Sequence, residues 1–323
     1  DGLSVGFWGD GSLDVSNGGQ VTSGWAEIGV GREAVGTAAV AGATSTWTIV
    51  NELTVGVYGQ GDLTVAGGGS VSAYDVFIGG APFELVAEEG DPYDPDLLAD
   101  GTGSVTVTGA DSQLSVAGPA SLYVGYFGDG TLDVLDGGQV TADLTIVGAG
   151  PDAIGTVTVE DAGSLLSTGE LSVGFWGQGD VTLANGGQVT TREVIIGGAD
   201  VQDDLDPDML ADFGEPLGIG TIGVTGTGSR LDVDEFLYVG YTGTGTLNVS
   251  DGGVVTSAYG AVGSDPGGVG TAVVTGADSE WRILDGLVVG GFGEGDVTVS
   301  AGGEVTASEI YIGGFDTRIV DEW

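Results

Sequence analysis

The stretch Val5–Ser23, VGFWGDGSLDVSNGGQVTS, sets apolar Leu13, Val15 and Val21 against polar Asp14, Gln20 and Thr22. That alternation is the period-two signature of strands with one face buried, and the glycines around it mark tight turns. The opening phase returns as VGVYGQG at Val55, VGYFGDG at Val124, VGFWGQG at Val173, VGYTGTG at Val239 and VGGFGEG at Val289. Repeats therefore start at Leu3, Leu53, Leu122, Leu171, Leu237 and Leu287, at intervals of 50, 69, 49, 66 and 50 residues.

Each unit of about 50 residues divides into two similar halves, each with three short strand-like pieces between Gly-rich turns. Matching phases carry matching side chains. Leu13, Leu63, Leu132, Val181, Leu247 and Val297 form one series; Ile28, Ile78, Val147, Ile196, Val262 and Ile312 form another. A sandwich has no need of such a match, whereas stacked coils do, because each inward side chain rests on its counterpart in a nearby rung. A propeller of six 50-residue blades is the alternative.

The expected architecture is all-β: one parallel β-helix over residues 1–323, of about eleven coils, two per repeat, on the order of 50 Å long at a rung spacing of ~4.8 Å. The pairs Gly18-Gly19, Gly68-Gly69, Gly137-Gly138, Gly186-Gly187, Gly252-Gly253 and Gly302-Gly303 mark one corner, where positive φ or close rung-to-rung approach is needed. Trp47 and Trp281 share a phase with Leu114, Leu166 and Leu231 and read as core fillers.

Composition bounds the function. Forty-eight acidic side chains face 5 basic ones, giving a net charge of −43, with no His and no Cys. The basic residues are all arginines, so phosphate contacts to nucleic acid or anionic lipid have almost nothing to work with, and cations are the natural partners. Hydrophobic residues at 41% are enough to build a core and argue against disorder. The absence of Cys suits an exported protein and a cytosolic one alike. No apolar run reaches the roughly 18 residues of a membrane span, and no basic-then-apolar leader opens the chain. An exported protein with this sequence has its signal removed or elsewhere.

Two half-repeat patterns resemble a known family. VGxxGxGxLxVxxGGxVxS appears at Val5–Ser23 and again at Val239–Ser257, and IGxxxxxxGTxxVxGxxSxW runs from Ile28 to Trp47. Together they resemble the repeat associated with type V secretion (autotransporter) passengers and with PEP-CTERM exported proteins, over nearly the whole chain outside two loops. The resemblance implies a right-handed parallel β-helix on a secreted bacterial cell-surface protein. It is silent on activity.

The long intervals come from those loops, at about 80–102 and 198–219, each carrying Asp-Pro-Asp-(Leu/Met)-Leu-Ala-Asp. Carboxylates clustered at turns suit a hard divalent cation, so Asp91, Asp94, Asp96, Asp100, Asp203, Asp204, Asp206, Asp208 and Asp212 are candidate calcium ligands. The competing reading is a short capped helical turn, with Asp94 or Asp206 as N-cap and Pro95 or Pro207 following. The spacing fits neither an EF-hand nor the nonapeptide calcium repeat.

An enzyme on this scaffold would need an acid–base pair, or an Arg or Lys, in a groove. Arg32, Arg192, Arg230, Arg282 and Arg318 fall at scattered phases. The outward series Asp14, Asp133 and Asn248, alternating with Thr64, Thr182 and Thr298, reads as a polar strand face with like charges kept apart. No nucleophile motif, zinc spacing or phosphate loop stands in a suitable context, and the threonines do not form the regular array an ice binder needs.

The remaining feature is a row of turn aromatics on every second coil, about 9.6 Å apart: Phe7, Trp8, Tyr58, Tyr126, Phe127, Phe175, Trp176, Tyr241 and Phe292. Such a row can cover glycine backbone of the neighbouring coil, meet another copy of the chain, or stack on sugars. The last repeat diverges after Gly314 and neither end reads as a cap, which suggests an excerpt of a longer passenger or ends that stack head to tail. The expectation is a non-enzymatic extracellular structural protein, a subunit of a bacterial surface fibre or adhesin stalk. Its partners would be other copies of itself or cell-surface glycans, and the alternative is a carbohydrate-binding module.

Overall fold

In a computed structural model the described residues are 1–81, 100–199 and 217–314. They contain strands and turns and no helix. The first coil has β1 (Gly2–Val5), β2 (Gly11–Ser16) and β3 (Gln20–Ser23), and this three-strand cycle repeats along the chain. Coils 1 to 11 span residues 2–23, 25–49, 52–73, 75–116, 121–142, 144–168, 170–191, 193–233, 236–257, 259–283 and 286–306, and Glu309–Ile312 begins a twelfth. The second strands form an 11-stranded sheet. The first and third strands merge into one 21-stranded sheet, because Gln139–Val147 and Leu165–Val173 round the third corner unbroken.

Neighbouring coils pair in parallel and in strict register, as at Val5↔Ile28, Ile28↔Val55 and Val55↔Ile78. A parallel stack is a β-solenoid, and it removes the propeller, whose blades are antiparallel. The two long intervals are accounted for by insertions between the first and second strands of coils 4 and 8, leaving at Ile78-Gly79 and Ile196-Gly197.

Register also explains why the repeat holds two coils. At the first inward position odd coils carry leucine throughout: Leu3, Leu53, Leu122, Leu171, Leu237 and Leu287. Between them the even coils carry Ala26, Val76, Thr145, Val194 and Gly260. Rungs ~4.8 Å apart leave little depth for one leucine directly above another, so large and small side chains alternate and interdigitate. The result is one continuous cluster of Val, Leu and Ile at or near zero exposure. Each such side chain contributes about 1.5–3 kcal/mol by leaving water.

The glycine-pair corner divides its two tasks. Gly186 has φ 99°, and a Cβ on Gly187 would lie 2.0 Å from the Val159 carbonyl oxygen of the coil before. Positive φ and close approach both apply, one at each glycine of the pair. Asn185, at φ 51°, precedes them and makes the Asn-Gly pair typical of tight turns with two left-handed residues. A serine of the following even coil closes the corner: Gly186 N–H donates to Ser229 Oγ at 3.0 Å, and that hydroxyl donates to the Thr225 carbonyl at 2.7 Å. The same bond from glycine N–H to serine Oγ joins Gly18 to Ser45, Gly68 to Ser112, Gly137 to Ser164 and Gly252 to Ser279, and Ser112 likewise donates to the Thr108 carbonyl at 2.7 Å. This is the role of the serine in the GxxSxW half.

Trp47 and Trp281 are fully buried at the positions occupied elsewhere by Leu114, Leu166 and Leu231. Each indole N–H donates to a serine of the preceding coil, Trp47 to Ser23 at 3.3 Å and Trp281 to Ser257 at 3.2 Å.

Candidate functional site

The interior is filled by packing residues, so any site lies on an outer face or a corner. On the second sheet, register places Asp14, Ala39, Thr64, Thr106, Asp133, Thr158, Thr182, Gly223, Asn248, Val273 and Thr298 in one outward column. The column beside it holds Asp62, Asp180 and Asp296, four coils apart, in the coils where the first column has threonine. Carboxylates are thus staggered between two columns, which keeps like charges from stacking at rung distance. Nothing in that arrangement brings two of them together as an acid–base pair.

The turn aromatics follow two different courses. In coils 1, 5 and 7 the two consecutive rings pack edge to face: Phe7 on Trp8 at 5.1 Å, Tyr126 on Phe127 at 4.7 Å and Phe175 on Trp176 at 4.7 Å. The second ring lies over the next coil's turn: a Cβ on Gly150 would meet Phe127 Cδ1 at 2.6 Å, and one on Gly31 would meet Trp8 Cε3 at 3.1 Å. The first ring folds back over the first sheet, Tyr126 edge-on to Phe77 at 5.0 Å and Tyr241 edge-on to Tyr238 at 5.1 Å. Tyr58 packs with Val57 and lies under Arg32, whose guanidinium carbon is 5.4 Å from the ring centroid. Exposure along the row is uneven, with Trp8 at 82% and Phe127 at 6%. Phe7 and Phe292 are also exposed.

Of the acidic loop residues, only Asp100 lies among the described residues, where its carboxylate pairs with Arg32 at 3.6 Å. Asp91, Asp94, Asp96, Asp203, Asp204, Asp206, Asp208 and Asp212 lie outside them. Among the described residues no three His, Cys, Asp or Glu side chains come together as metal ligands.

A further aromatic set, on the outward face of the first sheet, escaped the reading of the turns. Phe77 stacks on Tyr123 one rung away, with centroids 5.0 Å apart and planes 4° apart. Phe236 stacks on Tyr259 at 5.1 Å and on Tyr238 at 5.7 Å. Phe77 on Tyr123 and Phe236 on Tyr259 are stacks between rungs, built by parallel register, whereas Phe236 and Tyr238 are neighbours on one face of the same strand. The signal was present in the runs Val76-Phe77-Ile78 and Val194-Ile195-Ile196, where apolar residues occupy both faces of a strand. Across coils 2 to 8 this outward column is largely buried, through Glu27, Thr54, Phe77, Ile146, Ser172 and Ile195, and in coils 9 to 11 it is half-buried, at Tyr238, Ala261 and Val288. Burial holds the Glu27 carboxyl above its ordinary value of 4.5, partly offset by the Ser4 hydroxyl, which donates to it at 3.0 Å.

No helix among the described residues is long and apolar enough to cross a membrane, which leaves strand-built barrels aside. No family model and no curated protein matches the chain. Among solved structures it is similar to the TibC-catalysed, hyper-glycosylated fragment 55–350 of TibA, with 15% identity over 94% of this chain and 99% of that one. The TM-score is 0.31, a level of likeness that carries no functional argument.

Proposed function

We propose that the protein is a non-enzymatic structural rod displayed outside a bacterial cell, serving as an element of a surface fibre or adhesin stalk. The observation that supports this is the division of labour along the chain. Inward positions hold apolar packing side chains in every coil, alternating large and small at the first of them, while chemical variety is concentrated on outer faces and corners. On the second sheet that variety is a staggered, solvated array of carboxylates and hydroxyls and not a convergent group. A reading of this kind requires no cofactor.

Lateral and axial contacts are both open to such a rod. Axially, a parallel rung with unpaired backbone groups accepts another, supplied by the same chain or a second copy. Negative-stain electron microscopy of the native protein tests the reading. The expected result is rods that associate end to end or side by side into fibres. Uniform, unassociated particles about 50 Å long would sink the fibre reading.

A further inference from the structure

We infer that the open outer face of the first sheet over coils 9 to 11 is a docking surface for arginine side chains of a partner protein. Three features converge there. The first is flat, accessible aromatic area: Phe236 and Tyr259 are 37% and 41% exposed and stacked on each other, with Tyr238 beside them. The second is a low floor next to them. Register sets Ala261 beside Tyr238 and Gly286 beside Tyr259, and the Tyr259 ring reaches within 4.0 Å of where a Gly286 Cβ would stand. The third is a carboxylate edge. Tyr259 N–H donates to the Glu235 carbonyl of the coil before, and Asp285 N–H donates to the Ala258 carbonyl of its own coil's neighbour, so Glu235 and Asp285 border the aromatic shelf one rung to either side. Both residues are exposed.

Charge selects the occupant. An aromatic face attracts a cation through its quadrupole, and guanidinium is a flat, weakly hydrated cation that can stack on a ring while its N–H groups reach carboxylates. The chain makes such a site internally, where Arg32 lies 5.4 Å over Tyr58 and pairs with Asp100 at 3.6 Å. With 48 acidic and 5 basic residues it has few arginines of its own, and near the shelf Arg192 reaches Glu235 at 3.4 Å. Among the described residues Asp285 forms no ion pair. A second copy, with 5 arginines against 48 acidic residues, offers this face few guanidinium groups, and a neutral sugar would hydrogen-bond to the carboxylates without pairing with their charge. The inference stands whether or not the rod assembles into fibres.

The test is titration of a tetra-arginine peptide, with its tetraglutamine counterpart as blank, at about 0.15 M salt so that diffuse attraction is screened. Phe236→Ser combined with Tyr259→Ser should weaken binding roughly 5- to 30-fold. Asp14→Asn combined with Asp133→Asn, on the second sheet, removes as much charge as two carboxylates and should change it less than about twofold. In the unaltered chain the Tyr259 ring-proton resonances should shift during the titration. Equal losses in the two variants, or shifts that spare Tyr259, would overturn the proposal in favour of diffuse charge attraction. Cellohexaose binding that is lost in the aromatic variant while the peptide does not bind would overturn it in favour of a glycan.

Discussion

Coils 2 and 10 fill the same cross-section as coils 4 and 8 in a different way. In coil 8 the first, second and third strands contribute Val194, Ile222 and Leu231; in coil 10 the same positions hold Gly260, Ala272 and Trp281. Coil 2 follows coil 10, with Ala26, Ala38 and Trp47. The large indole on the third strand goes with the smallest side chains on the other two, so the ring takes space that aliphatic side chains fill elsewhere. A Cβ on Gly260 would lie 2.8 Å from Trp281 Cζ2, so the ring as placed in coil 10 leaves room for glycine, while coil 2 accommodates Ala26 beside Trp47. The polar end of the indole is provided for as well, because Ser23 and Ser257 stand where coils 3 and 5 have Ala73 and Ala142. The lesson is that the unit of substitution in this rod is a whole coil with part of the coil before it.

The largest effect should come from breaking that unit. Trp281→Ala leaves a cavity and an unpartnered Ser257 hydroxyl, and should cost about 3–5 kcal/mol. Gly260→Val alone should also destabilise, by forcing the ring out of its place. The triple change Gly260→Val, Ala272→Ile and Trp281→Leu converts coil 10 to the filling of coil 8 and should recover most of the loss, a strongly non-additive outcome. Hydrogen exchange at the amides of coils 9 to 11 is the suitable measure, since a stacked array opens locally and not as one two-state body. A triple variant no more protected than the sum of its parts would show that coil filling is not the governing rule.

Part of this is legible in the sequence. The column Leu13, Leu63, Leu132 and its partners could be read because parallel stacking demands the same residue type at the same phase, and register confirms it. The burial of Trp47 and Trp281 followed from the leucines at their phase. What could not be read was the compensation. Gly260 looks like any other glycine among 67, and its meaning depends on a ring 21 positions later in the chain. The turn aromatics were located, but whether a ring folds back on its own sheet, like Tyr126, or over the next turn, like Phe127, is set by side-chain direction at a corner. Period-two reasoning assumes one wet face, so it missed Phe77 and Ile195, outward residues that are nonetheless buried.

If coil filling is a matter of the interior alone, the corner clasp should be indifferent to it. Ser112 serves a coil filled with aliphatic side chains and Ser279 one filled by tryptophan, yet the bonds from Gly68 and Gly252 are 3.0 and 3.1 Å long. Ser112→Ala and Ser279→Ala should therefore each cost about 1–3 kcal/mol, by leaving without an acceptor an N–H that is half-buried at Gly68 and buried at Gly252. Unequal losses, read as hydrogen exchange at Gly68 and Gly252 in the respective variants, would show that the tryptophan coils also adjust their corners.

The smallest expected effect separates the two tryptophan coils on their outer face, where coil 2 has buried Glu27 and coil 10 has Ala261. Burial raises the Glu27 pKa above 4.5, so the folded state binds its proton more tightly than the unfolded chain does. That preference stabilises the fold fully below 4.5 and is lost as pH rises through the folded-state value, leaving a buried carboxylate at neutral pH. Glu27→Gln keeps the shape and an acceptor for the Ser4 hydroxyl while removing the charge. It should raise the melting temperature modestly at neutral pH and leave it unchanged well below pH 4.5, where the wild-type side chain is already neutral. A rise of the same size at both pH values would show that Glu27 acts through packing, and its burial would then carry no electrostatic penalty for coil 2 to bear.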